Sequence, residues 1–137
     1  QIRYLGAFPV ERGKGDTAAI EQAIANVQHG TNLLIFPEGT RSKDGKVGRG
    51  KTGVALVAAK AGADVVPVGI NFEGKLHFRS KITVRVGKTI PASTFAMDAS
   101  LTDRELLRTL KHDVMPPIMD GIRSLVDAGN ALVEQEQ

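Results

Sequence analysis

The chain has 137 residues, of which 42% are hydrophobic and 24% are charged. This length suits a single globular domain that buries about two-thirds of its unfolded surface. The sequence holds no cysteine, which excludes disulfides and thiolate metal sites, and its three histidines are too scattered for a typical zinc site.

Helices and strands are predicted to alternate along residues 1–90. The apolar periodicity of residues 17–29 predicts a helix, which Asp16 or Thr17 caps and Gly30 ends. A second helix is predicted at residues 51–61. Strands are predicted from apolar runs or strict alternation at residues 5–10, 33–36, 65–71 and 81–86.

This order of elements predicts an α/β fold with a mainly parallel central sheet flanked by helices, because strand–helix–strand units give parallel strands. From residue 102 the pattern is helical, with a break expected at Pro116 and Pro117. The C-terminal helices carry apolar stripes, so we expect them to pack on the sheet; contact with a membrane surface is the alternative.

Domain organisation is interpreted from the same pattern. No apolar run approaches the ~20 residues that a membrane-spanning helix needs, and no signal peptide is recognisable. The chain begins with Gln1 rather than Met, so we expect it to start inside a longer natural protein and the sheet to be incomplete at its N-terminus. Residues 1–137 then form one domain fragment, with an α/β core at residues 1–90 and a helical part at residues 91–137.

Positive charge is concentrated in the middle of the chain. Residues 38–88 contain eleven basic and four acidic residues, whereas residues 89–137 contain four basic and eight acidic ones. Such a field predicts an anionic partner, such as phosphate, nucleic acid or an acidic membrane surface. A basic face that contacts only solvent is the alternative.

A polar cluster follows the predicted strand at residues 33–36, and ligands of open α/β sheets bind beyond the carboxyl ends of strands. Arg41 offers a planar fork of donors to phosphate oxygens, and Lys51 adds charge near the start of the next helix. The alternative is a surface turn with a Glu38–Arg41 pair worth under ~1 kcal/mol. The predicted phosphate site consists of Glu38, Gly39, Thr40, Arg41, Ser42 and Lys51.

Three segments carry a family resemblance. FPEGTRS at residues 36–42 resembles a signature block of the glycerolipid acyltransferases, which acylate glycerol-3-phosphate and lysophosphatidic acid. GAFPVER at residues 6–12 is similar to the preceding block of that family, and VVPVGI at residues 65–70 is similar to the following one. Asn71 and the segment FRS at residues 78–80 resemble a subgroup that includes glycerol-3-phosphate or dihydroxyacetone-phosphate acyltransferases.

The resemblance implies roles for individual residues. Arg12 and Arg41 would contact the glycerol phosphate, and the other residues of the predicted site would shape the acceptor pocket. An apolar wall on the acyl side would comprise Val65, Val66, Pro67 and Val68.

The resemblance also implies the partners. The acceptor would be a lysophospholipid or glycerol phosphate, and acyl-CoA or acyl-carrier protein would be the acyl donor. No metal or redox cofactor is implied, because acyl transfer from a thioester needs only a base and oxyanion stabilisation. The protein would be associated with the membrane surface on its cytoplasmic side, and no nucleic acid is expected.

One block of the family is missing. That block is a His followed, after four residues, by an Asp, and it supplies the general base and its orienting acid. None of the three histidines has an Asp five residues later. The resemblance places this pair upstream of Gln1, so no catalytic residue is expected in this chain and the chain alone is expected to be inactive. A non-catalytic phosphate- or phospholipid-binding module is the alternative.

Two further interpretations have weaker support. GKVGRG at residues 45–50 lacks the spacing of a GxGxxG or Walker nucleotide loop. Residues 75–88 are basic but lack the interleaved aromatics of an RNA-binding surface, so a solvated strand face is favoured there.

Overall fold

The computed structural model of the protein describes residues 17–136. The α-helices are α1 (Thr17–Gln28), α2 (Gly53–Ala61), α3 (Asp103–Thr109) and α4 (Met115–Glu136). The strands are β1 (Val68–Phe72) and β2 (Ile82–Val86). A 3₁₀-helix at Ala92–Phe95 follows β2, and a π-helical turn at Leu110–Val114 joins α3 to α4.

The helices predicted at residues 17–29 and 51–61 are confirmed as α1 and α2. Gly30, with φ of 88°, lies beyond the end of α1, and its N–H donates to the Val27 carbonyl at 3.0 Å. Gly62 ends α2 with φ of 61° and donates to the Ala58 carbonyl. Both glycines occupy the left-handed conformation that commonly terminates helices.

The described residues hold one sheet, in which β1 and β2 pair antiparallel. Val68 lies opposite Val86, Ile70 opposite Val84, and Phe72 opposite Ile82, so these side chains share one face. We call it the outer face, because most of its side chains are exposed. The opposite face packs on α4, where Gly69 and Gly129 let the helix and strand approach closely.

The prediction of a buried strand at residues 33–36 is wrong for the described part of the protein. These residues have no regular secondary structure, and Leu34 and Phe36 are 78% and 65% exposed. A strand needs a neighbour to bond its backbone N–H and C=O groups, and the sheet within residues 17–136 consists of β1 and β2. A parallel sheet is not seen within that range.

A hydrophobic cluster joins α2 to the C-terminal helices. Its most buried side chains include Phe95 of the 3₁₀-helix and Ile118 of α4, each 1% exposed. Val54, Ala55 and Ala58 of α2 complete its other side. The C-terminal helices therefore pack on the α/β part, as their apolar stripes predicted, with α4 lying against β1.

The two prolines do not break the C-terminal helix where the sequence predicted. Pro116 and Pro117 come directly after the π-helical turn, and residues 103–136 stay helical throughout, so the two missing N–H donors do not interrupt the helix. The π-helical turn precedes them, and the Met115 N–H bonds the Leu110 carbonyl five residues back. The wider turn carries the helix past the missing donors.

Candidate functional site

The segment that carries FPEGTRS continues into a loop closed at its base. We call residues 38–50 the glycine loop. The Lys51 N–H donates to the Pro37 carbonyl at 2.7 Å, and the Gly48 N–H donates to Glu38 Oε2 at 2.6 Å. These two hydrogen bonds bring the beginning and the end of the loop together, so the loop leads directly into α2.

Gly39 turns the chain at the entrance of the loop. Its φ is 66°, in the left-handed region, and its N–H donates to the Phe36 carbonyl at 3.1 Å. A Cβ atom at this position would lie 3.1 Å from both Cε and Nζ of Lys51. The Lys51 ammonium group therefore lies against the Gly39 backbone, and the predicted neighbours Gly39 and Lys51 are in contact.

Ser42 serves the loop itself. Its Oγ donates to the Lys46 carbonyl at 2.9 Å and lies 3.2 Å from Asp44 Oδ1, which also accepts from the Lys46 N–H at 3.1 Å. The hydrogen bond from that N–H, assisted by the Ser42 hydroxyl, holds the pKa of Asp44 below its ordinary value. Ser42 thus shapes the loop through its backbone, whereas the sequence predicted a residue that shapes the acceptor pocket.

Arg41 is one of four exposed basic residues of the loop, with Lys43, Lys46 and Arg49. It is exposed, and it has no hydrogen-bond or ion-pair partner among the described residues. Thr40 beside it is also exposed. The alternative of a Glu38–Arg41 surface pair is not what the structure shows, because the Glu38 carboxylate accepts from Gly48 instead.

The predicted apolar wall divides between two faces. Val65 packs partly against the hydrophobic cluster and exchanges backbone hydrogen bonds with Ile90 at 2.9 and 2.7 Å. Pro67 is buried, whereas Val66 is 48% exposed. Because side chains alternate along a strand, only Val66 and Val68 lie on the side of the outer face.

A polar network that sequence reasoning missed lies between β1, β2 and α4. Asn71 is 5% exposed, and its Nδ2 donates to the Val126 carbonyl at 3.0 Å and to Asn130 Oδ1 at 2.8 Å. Arg85 Nη1 donates to Asn71 Oδ1 at 3.2 Å. The sequence singled out Asn71 only through its resemblance to an acyltransferase subgroup, and the residues it contacts are up to 59 positions away in the chain.

The same network touches the glycine loop, since Asn130 Nδ2 lies 3.5 Å from the Gly45 carbonyl. A shallow cleft of about 250 Å³ opens beside Asn71 and Arg85 and is also lined by Lys81. Among the described residues predicted for the acceptor site, 38–42 and Lys51, none lines this cleft. Asn130 therefore links this polar network to the backbone of the glycine loop.

Other predictions are placed as follows. Arg12 lies outside the described residues. Between residues 17 and 136, no cluster of metal-ligating side chains is found, and no helix has the length and apolarity needed to cross a bilayer.

Comparison with known proteins identifies the family. The acyltransferase family model matches residues 1–71 of the chain, which include the FPEGTRS segment and the whole glycine loop. The chain belongs to the acyltransferase family. The resemblance of its motifs to those of glycerolipid acyltransferases is confirmed.

Two similar proteins are named as acyltransferases. A chloroplastic 1-acyl-sn-glycerol-3-phosphate acyltransferase from Brassica napus is 36% identical over 77 residues, covering 55% of this chain and 22% of that protein. A lyso-ornithine lipid O-acyltransferase from Pseudomonas aeruginosa is 38% identical over 68 residues, covering 49% of this chain and 26% of that protein. The matched region is thus about a quarter of each relative's length.

A solved structure shares the fold. The crystal structure of the 1-acyl-sn-glycerophosphate acyltransferase PlsC from Thermotoga maritima superposes with a TM-score of 0.51 and 26% sequence identity. The match covers 87% of this chain and 49% of that one. An α/β fold of the acyltransferase type is consistent with this likeness, and the chain accounts for about half of the neighbour.

Proposed function

We propose that this chain is the acceptor-binding part of an acyltransferase of phospholipid synthesis. The complete protein transfers a fatty acyl group from acyl-CoA or acyl-carrier protein to a hydroxyl of lysophosphatidic acid or glycerol-3-phosphate. The observation that carries the proposal is the exposed Arg41, which has no partner among the described residues, on a loop closed by Glu38 and Gly48. Family membership and the names of the relatives support the reaction class.

Charge and geometry give the proposed binding mode. The Arg41 guanidinium donates two parallel hydrogen bonds to the acceptor phosphate, and Lys51, held against Gly39, contributes a second positive charge. The family resemblance implies that Arg12, which lies outside the described residues, also contacts the phosphate. Glu38 has a structural role in this binding mode, because its carboxylate accepts the Gly48 N–H and closes the loop.

Catalysis is proposed to need residues from elsewhere in the longer protein. A His–Asp pair supplies the general base that deprotonates the acceptor hydroxyl, and this chain has no such spacing. The chain alone is therefore inactive in this proposal. No metal or redox cofactor takes part, since the thioester is already activated for transfer.

The outer face is proposed to be completed by the rest of the acyltransferase domain. Six apolar side chains of β1 and β2 share that face, and the segment at residues 33–36 exposes Leu34 and Phe36. Pairing of that segment with further strands would build the mainly parallel sheet, with residues 1–90 as its core and residues 91–137 as its helical part. Val66 and Val68 would then border the acyl chain, on the cytoplasmic side of the membrane.

Direct binding tests the acceptor site without catalysis. We expect glycerol-3-phosphate to bind the chain in isothermal titration, and Arg41→Ala to weaken that binding about tenfold or more, because a charge-assisted hydrogen bond is worth about 1.5–3 kcal/mol. Lys43→Ala is the matched control, as it removes an exposed charge from the same loop. Equal weakening by both variants would mean that only the general positive field attracts the ligand.

A further inference from the structure

The connection between β1 and β2 presents apolar side chains to solvent. We call residues 73–81 the Phe78 turn. The Phe78 side chain is 91% exposed and Leu76 is 60% exposed. An exposed phenylalanine contributes little burial, so packing within residues 17–136 does not explain its presence.

The turn is nevertheless built by specific hydrogen bonds. The Ser80 N–H donates to the His77 carbonyl at 3.1 Å, and the His77 N–H donates to Ser80 Oγ at 2.9 Å. His77 Nδ1 lies 2.8 Å from the Phe78 carbonyl oxygen and donates to it in the tautomer that is protonated there. Arg79 has φ of 71°, which closes the turn in a conformation uncommon for a side-chain-bearing residue. Phe78 is therefore displayed at the tip of a defined turn.

The charges around Phe78 are mainly positive. Lys75, Arg79 and Lys81 are exposed, and Glu73 is the one acid in the turn. Apolar side chains next to cations are the composition with which proteins contact anionic bilayers: the apolar groups enter the interface while the cations bind lipid phosphates. A single aromatic in the turn does not make the stacked platform that single-stranded RNA requires.

We propose that the Phe78 turn is a membrane-contact element. Phe78 and Leu76 enter the headgroup region of an anionic bilayer, and Lys75, Arg79 and Lys81 bind its phosphate groups. This inference depends on the geometry and charge of the turn and does not require the acyltransferase proposal.

Hydrogen bonds connect β1, which leads into the Phe78 turn, with the glycine loop. The turn begins directly after β1, and Asn71 near the end of β1 bonds Asn130 at 2.8 Å. Asn130 in turn approaches Gly45 of the glycine loop at 3.5 Å. These hydrogen bonds connect the strand that leads into the turn with the glycine loop, the proposed site of the lysolipid acceptor.

The first experiment uses tryptophan as a probe. The sequence has no Trp, so Phe78→Trp introduces a single one at the tip of the turn. We expect its fluorescence to shift to the blue with vesicles of phosphatidylcholine and phosphatidylglycerol, and to be quenched by lipids brominated near the headgroup. Vesicles of phosphatidylcholine alone should give a much smaller change.

Two single-Trp variants serve as controls. Leu107→Trp reports on α3, where the native side chain is 45% exposed, and should not respond to vesicles. Val84→Trp reports on the outer face, where the native side chain is 58% exposed. A response from Val84→Trp without one from Phe78→Trp would overturn the proposal, since the outer face would then be the lipid contact.

Charge removal gives the quantitative test. Asn tolerates the left-handed conformation, so Arg79→Asn keeps the turn while it removes one cation. Vesicle co-sedimentation should show about fivefold weaker binding, which corresponds to about 1 kcal/mol per basic residue near an anionic surface. Phe78→Ala should weaken binding about tenfold at an unchanged melting temperature, because the side chain is almost fully exposed.

Two results would contradict the proposed membrane contact. Unchanged vesicle binding in both variants would contradict the proposal, as would a larger fluorescence shift of Phe78→Trp with single-stranded RNA than with anionic vesicles. Neither readout depends on acyl transfer, so failure of this inference and failure of the proposed function are distinguishable.

Discussion

Gly129 tests the packing between α4 and β1. It lies within α4, and a Cβ atom there would overlap the Asn71 amide and the Arg85 guanidinium. We expect Gly129→Ala to destabilise the protein, although alanine is the better helix former. The direction of this effect is opposite to that expected from helix propensity.

The magnitude follows from two opposing terms. Alanine stabilises a helix interior by about 1 kcal/mol relative to glycine. Displacing Asn71 would leave its buried amide without the hydrogen bonds to Val126 and Asn130, which costs about 1–3 kcal/mol, and overpacking adds about 1–3 kcal/mol. Taking about 3 kcal/mol for the cost, the net loss is about 2 kcal/mol.

Urea unfolding followed by circular dichroism measures this loss. Ala128→Gly is the matched control. It makes the reverse exchange of alanine and glycine at the neighbouring position of α4, where the side chain is exposed. It should cost about 1 kcal/mol through helix propensity alone. If Gly129→Ala stabilised the protein by about 1 kcal/mol, the close approach of Asn71 to α4 would be refuted.

The remaining predictions concern the glycine loop. Glu38→Ala removes the acceptor for the Gly48 N–H, so trypsin should cut the loop faster than in Glu38→Gln, which keeps an acceptor oxygen. Gly39→Ala and Gly45→Ala should each cost about 1 kcal/mol in urea unfolding because both glycines have positive φ, but only Gly39→Ala should weaken glycerol-3-phosphate binding, since its Cβ crowds Lys51. The pKa of Asp44 is lowered in the folded protein, so its contribution is present above its ordinary value of 3.8 and is lost as pH falls through the lowered pKa. Asp44→Asn keeps an acceptor without a titrating charge, so the urea midpoint should fall less steeply in acid; an unchanged acid slope would contradict that role.

Local signals predicted the helices well. Gly30 and Gly62 end α1 and α2 near the positions where the sequence placed them, because a left-handed residue after an apolar periodic segment is a local feature. The alternation of residues 81–86 likewise predicted β2, with Ile82, Val84 and Val86 on one face. Which face packs against the protein is not a local property, and here Arg85 faces inward to reach Asn71.

Long-range pairing was the part that sequence could not provide. The apolar run at residues 33–36 has strand character, but a strand forms only when a neighbour bonds its backbone, and none is present within residues 17–136. The prolines of α4 predicted a break at residues 116–117. The structure instead has a π-helical turn a few residues earlier, at Leu110–Val114, and the helix continues through the prolines.

The residues of the candidate site stay a prediction, and their hydrogen bonds could not be predicted from the sequence. The sequence grouped residues 38–42 with Lys51, which was chosen for its charge near the start of the next helix, and Lys51 does contact Gly39. The hydrogen bonds of Glu38 and Ser42 to the loop depend on the path of the loop, which spacing alone does not define. The link from Gly45 to Asn130 joins residues 85 positions apart and has no local signal.

The most direct test of the proposed acceptor site is the KM for lysophosphatidic acid in the complete acyltransferase that we propose contains this chain. At saturating acyl-CoA, Arg41→Ala should raise the acceptor KM about tenfold or more and leave the KM for the acyl donor unchanged, with Lys43→Ala close to the unmodified protein. An unchanged acceptor KM, or an equal rise in the KM of donor and acceptor, would contradict the assignment of the glycine loop to the acceptor phosphate.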